Sequence, residues 1–202
     1  MMEIISTERF WIFVLSLVAV INGLGIVRLL SVLSDCLRKR EELTIQYYWV
    51  HTLYLIFQLL MHLLIWWSIV GLHKIGELNF LSYLYILVGP TFLFLATTLL
   101  IPDAKADPVD LRAEYYGVRK VYFSLMAAFY LWAIFVWPVF GHGFAPTVPL
   151  IAAFFMIALI SIATERPKVH AAMIIANLAV YMAFIILYAT HLGELGQSIA
   201  VH

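Results

Sequence analysis

This chain of 202 residues has one cysteine, Cys36, which excludes an intrachain disulfide. Charge is scarce as well: 12% of residues are Asp, Glu, Lys or Arg, about half the quarter usual in soluble domains. No Asp or Glu lies in the central part of any long apolar run. That removes the usual parts of a carboxylate proton relay, a carboxylate metal site or an intramembrane aspartyl protease. Walker loops, H-E-x-x-H and G-x-S-x-G signatures, cysteine clusters and low-complexity linkers are missing too. Ser16, Ser68, Ser124 and Ser161 supply hydroxyls, but none has a recognisable base at helical spacing. No metal site and no nucleic-acid partner are expected, and the balance leans away from an enzyme.

What is present is apolar. With 64% apolar residues, the chain divides into six long runs, approximately 10–33, 45–72, 79–101, 119–139, 146–164 and 168–191. Each is long enough for the roughly 20 residues that cross a hydrocarbon core. Runs of this length pair their backbone amides internally as helices, and the alternating strands of a barrel are absent. The expected fold is all-α: a single six-helix transmembrane bundle over 1–202, with no room for a separate soluble module.

The basic residues orient it. Arg28, Arg38, Lys39 and Arg40 lie at or after the end of the first run, Lys105, Arg112, Arg119 and Lys120 between the third and fourth, and Arg166 and Lys168 between the fifth and sixth. Only Arg9 and Lys74 fall on the other side. The positive-inside rule then predicts both termini outside and three basic connections in the cytoplasm. Glu3 and Glu8 precede the first run and the larger basic cluster follows it, so this run reads as a helix rather than a cleavable signal.

Punctuation marks the helix ends. Pro102 closes the third span; Pro146 and Pro149 open the fifth helix and Pro167 the sixth. Asp107, Pro108 and Asp110 read as an N-cap, a first-turn proline and an early acid, which predicts a fourth helix from about 108 that extends into the cytoplasm. Asn22, Gly23 and Gly25 suggest close packing of the first helix, and Gly89 and Pro90 interrupt the third. Trp11, Trp66, Trp67 and Trp137 read as an outer aromatic belt, and Tyr47, Tyr48, Trp49, Tyr115, Tyr116 and Tyr122 as an inner one.

Two polar stripes stand out. In the second helix His51, Gln58 and His62 fall at i, i+7 and i+11, within about 40° of arc. In the sixth, His170, Asn177, Tyr181 and Tyr188 repeat that spacing, and both helices run the same way, so His51 and His170 are expected at comparable depth. Polar groups in lipid turn inward, toward each other or toward water. Three readings follow: a mutually hydrogen-bonded core, a hydrated cavity or pore lined by these residues and Asn22, and a b-type haem held by His51 and His170. The functional expectation is a small homo-oligomeric ion or small-solute channel or transporter. A membrane-embedded sensor or accessory subunit with a cytoplasmic partner is the alternative, and a haem protein comes third.

The segment from Asp110 to Phe123 is amphipathic, with Arg112, Tyr116 and Arg119 on one face. Together with Arg38, Lys39 and Arg40 it is a candidate contact for anionic headgroups or a cytoplasmic partner. Trp49 and His51 in W-x-H, the pair Trp66 and Trp67, L-x-P-D from Leu100 to Asp103, and D-L-R-x-x-Y-Y-x-x-R from Asp110 to Arg119 resemble a group of small uncharacterised bacterial polytopic membrane proteins. The resemblance covers roughly the first 140 residues. It implies a bacterial inner membrane and pairs His51 with the tyrosine and arginine segment, but it carries no activity.

Overall fold

The computed structural model of the protein describes residues 2–38, 45–69, 79–102 and 109–189. Six α-helices make up nearly all of it: α1 (Met2–Arg38), α2 (Trp49–Ile69), α3 (Phe80–Leu100), α4 (Leu111–Val139), α5 (Val148–Ala163) and α6 (Pro167–Phe184), the last running on into a π-helical turn over Ile185–Ala189. Five of them are, by length and composition, able to cross a membrane, the mark of a multi-pass membrane protein. The fifth run departs from the expectation of six similar spans. Its helix has only 16 residues, about 24 Å against a hydrocarbon core of about 30 Å. The chain turns at Pro146 and Thr147 before it and is extended at Thr164 after it.

Helix ends follow side-chain chemistry. Asn79 caps α3 by accepting from the Ser82 amide, and Asp110 caps α4 by accepting from the amides of Arg112 and Ala113. Asp110 is thus the cap itself, and α4 begins at Leu111 rather than near residue 108; Asp107 and Pro108 lie outside the described residues. Pro149 and Pro167 sit in the first turns of α5 and α6, where their missing N–H is not needed. A two-residue parallel pairing, β1 (Ile45–Gln46) with β2 (Val109–Asp110), ties the segment before α2 to the segment before α4.

α2 occupies the middle of the bundle. It packs against α1, α3, α4 and α6, while α4 lies between α3 and α5. Two glycines allow the closest approaches. A Cβ on Gly25 would lie 2.3 Å from the His62 ring, and one on Gly89 would lie 2.3 Å from the Trp132 ring. Gly89 therefore serves α3–α4 packing, reinforced by Trp132 Nε1 donating to the Tyr85 carbonyl (2.8 Å) and the Tyr85 hydroxyl donating to the Trp132 carbonyl (3.2 Å). Nothing lies within 4 Å of a Cβ at Gly23. The outer faces carry large apolar side chains such as Leu24, Leu63, Leu95, Phe135 and Ile160, as lipid contact requires.

Candidate functional site

The polar residues of α2 are drawn into one network. His62 Nδ1 lies 2.6 Å from Asn22 Oδ1 on α1, and Asn22 Nδ2 returns a bond to the His62 carbonyl at 3.0 Å. On the other side His62 Nε2 lies 2.8 Å from Thr97 Oγ1 on α3. Gln58 donates to Thr97 Oγ1 (3.0 Å) and to the Leu93 carbonyl (3.1 Å), and its own Oε1 accepts from Tyr122 on α4 (2.9 Å). The donors fix the tautomer. Asn22 Oδ1 is committed to accepting, so His62 carries its proton on Nδ1, and Nε2 accepts from the Thr97 hydroxyl. The Thr97 hydroxyl also lies 2.9 Å from the Leu93 carbonyl, but its one hydrogen is needed at His62, and Gln58 supplies Leu93. With neutral His62 each donor in the set has an acceptor.

A second cluster gathers where α4 and α6 begin. Tyr115 donates to His170 Nδ1 at 2.7 Å, because His170 Nε2–H is given to the Thr164 carbonyl at 2.9 Å. The same carbonyl accepts from Arg119, whose other nitrogen meets Glu165 at 2.8 Å. Arg119 is 2% exposed and Glu165 76%, so the guanidinium is carried inside and its charge is answered at the surface. Around Tyr115 stand the rings of Tyr48, His51, Tyr54, Tyr116, Phe123 and His170, with centroids 5.2 to 6.4 Å away. Burial, with Tyr116 beside it, holds the Tyr48 hydroxyl above the usual tyrosine range, so it stays protonated.

Several expectations change in this setting. Tyr115 and Tyr122 are core residues rather than belt anchors, as is Trp11, whereas Tyr47, Trp49, Trp66 and Trp67 are exposed. Arg119 is turned inward, while Arg112 remains exposed and Tyr116 is half-buried with its hydroxyl 3.4 Å from that of Tyr48. The side chain of Arg38, with Lys39 and Arg40, lies outside the described residues. His51 and His170 do not face each other across a gap. The Tyr115 ring lies 6.2 Å from one and 5.4 Å from the other, and His51 Nε2 is given to the Leu100 carbonyl at 2.8 Å. Both Nε2 atoms thus lie against backbone carbonyls, and the Tyr115 ring contacts both imidazoles.

The α6 stripe is distributed among separate partners. Tyr181 donates to the Leu60 carbonyl of α2 at 3.1 Å, Tyr188 donates to the Pro146 carbonyl at 3.0 Å, and Asn177 is buried. Thr97, Tyr115, Tyr122 and Glu165, which complete the two clusters, escape sequence reading because their partners lie 35 to 64 residues away. Asp110 through Phe123 flagged the tyrosines as amphipathic; Thr97 carries no local signal beyond being a hydroxyl in an apolar run.

The neighbouring inward face of α2 is different. Met61, Leu64 and Ile65 of α2, with Ala133 of α4, Ile151 of α5 and Phe184 of α6, line an apolar cavity of about 130 Å³ that is open on one side. Ser68 and Thr147 place hydroxyl-bearing residues on its wall. Tyr130 and Phe154, stacked 5.3 Å apart, form its floor. Among the described residues no group of three or more His, Cys, Asp or Glu is placed to hold a metal ion. Compared with family models, curated proteins and solved structures, the chain matches none.

Proposed function

We propose that this chain is a multi-pass membrane protein that binds the hydrocarbon chain of a membrane lipid between α2, α4, α5 and α6, as a lipid-responsive sensor or accessory subunit. The cavity of about 130 Å³ carries this reading. An apolar void of about 150 Å³ stays dry and takes a molecule the size of benzene, whereas drug-sized ligands need about 300 Å³ or more. The volume suits the end of one chain. In a bilayer such chains are the most concentrated apolar groups, and the wall offers little else for a ligand to bond.

The channel expected from the polar stripes loses its main support, because His62, Gln58, Asn22 and His170 are bonded to neighbouring helices instead of facing a common space. On the positive-inside rule, this reading puts the Arg119–Glu165 end in the cytoplasm. A bacterial inner membrane is the compartment it assumes.

Photolabelling tests it. The full chain is reconstituted in phosphatidylethanolamine and phosphatidylglycerol vesicles doped with a phospholipid bearing a diazirine at its chain terminus, and adducts are mapped by mass spectrometry. Adducts are expected at Met61, Ile151 and Phe184 and should be lost in Ala133→Phe. Labelling confined to outward residues such as Leu131 and Phe135, unchanged by the variant, would overturn the reading, and an ion flux through the same vesicles would restore the channel.

A further inference from the structure

Between the stacked Tyr130–Phe154 pair and the polar core lies a second, much smaller cavity, bordered by Tyr54, Tyr122 and Asn177. Tyr54 is fully buried and Asn177 is 3% exposed. The Tyr54 hydroxyl and Asn177 Oδ1 are both buried without a hydrogen-bond partner. The hydroxyl faces the side chains of Ser161, Tyr115 and Asn177 but closes a bond to none of them. Two orphaned polar groups beside one small cavity otherwise walled by apolar and aromatic side chains are an uncommon arrangement in a native interior.

We infer that this cavity is a binding site for a single water molecule, bridging α2, α4 and α6. Its volume of about 10 Å³ sits at the lower limit of about 10 to 15 Å³ for holding one water. A hydrated ion or an organic ligand is therefore excluded by size. The chemistry of the wall supplies the three partners that a buried water usually has. Tyr54 donates its O–H to the water. The water donates one hydrogen to Asn177 Oδ1 and the other to Tyr122 Oη, whose own hydrogen is already given to Gln58 Oε1 at 2.9 Å. The two groups left without a partner, the Tyr54 hydroxyl and Asn177 Oδ1, are then both satisfied.

The bound water extends the network. Asn22, His62, Thr97, Gln58 and Tyr122 already connect α1, α2, α3 and α4, and the water adds Asn177 and hence α6. That gives Asn177 a role none of its direct contacts provides: it holds the water that fastens α6 to the central helix.

The test uses the full chain in lipid at a resolution that shows ordered water, about 2 Å. The expected result is one peak within hydrogen-bond distance of Tyr54 Oη, Asn177 Oδ1 and Tyr122 Oη, absent in Asn177→Leu, whose side chain offers no acceptor. A closed cavity with Tyr54 donating directly to Asn177 or Ser161 would overturn the proposal. Solid-state NMR gives an independent reading on the wild-type chain. Magnetisation transfer from water to the Tyr54 hydroxyl, isolated from bulk exchange, is expected, and its absence would count against the site.

Discussion

The two faces of α2 obey different rules. On one, His62 and Gln58 are bonded to α1, α3 and Tyr122 of α4; on the other, toward α4, α5 and α6, Met61, Leu64 and Ile65 border a cavity of about 130 Å³. The contrast is one of directionality. An unpaired polar group in an apolar interior costs several kcal/mol, so helix positions that pair it, directly or through water, are strongly favoured. Dispersion between apolar side chains is weak per contact and has no required partner, so a void among them costs only the contacts it removes. Polar side chains therefore set the helix positions, and apolar ones leave the room that a ligand can use.

The largest effect should come from breaking the polar face. His62→Ala orphans Asn22 Oδ1, while the Thr97 hydroxyl can turn to the Leu93 carbonyl; one unsatisfied group at about 1 to 3 kcal/mol together with the cavity left by a buried ring should cost about 2 to 5 kcal/mol. Denaturation by SDS in mixed micelles measures it, and Asn22→Ala added to His62→Ala should cost less than it does alone. A fully additive double variant would mean that the two residues do not act as a pair. Next in size is Gly25→Ala, which drives a Cβ against the His62 ring and should cost about 1 to 3 kcal/mol. Gly23→Ala, with open space around it, is the control and should be close to neutral.

On the apolar face the sign reverses. Ala133→Phe fills part of the cavity and should stabilise the protein by about 0.5 to 2 kcal/mol, as cavity-filling changes commonly do. A clear loss of stability in the same assay would mean that this space is already occupied by protein. The smallest effect belongs to the surface: Arg112→Glu changes an exposed side chain and should stay within about 0.5 kcal/mol. Arg119→Met should be far more damaging than Arg112→Glu, since it leaves Glu165 and the Thr164 carbonyl without their buried cation. Equal behaviour of the two arginines would argue that Arg119 is not held inside.

Much of this was legible in the chain, and the reason is local. Apolar runs longer than a turn-rich loop allows must be helices, and Pro149 and Pro167 mark the starts of α5 and α6 from within their first turns. The spacing of His51, Gln58 and His62 likewise identified an inward face without any knowledge of what it meets. The shortness of α5 was less visible, because the run 146–164 takes in Pro146 and Thr147, which form a turn before the helix, and Thr164, which takes extended backbone after it and accepts from Arg119 and His170.

What sequence alone determined, then, is the solvent, the helices and which of their faces turn inward, since each of these depends on residues within a few turns of one another. Tertiary structure decided the rest. That α2 is central, that Thr97 and Tyr122 answer Gln58, that Tyr115 contacts both His51 and His170, and that the cavity is apolar all follow from which helices adjoin. Hydrogen bonds between residues 35 to 64 positions apart leave no periodic trace, because helix adjacency is chosen by the bundle as a whole and not by any one segment.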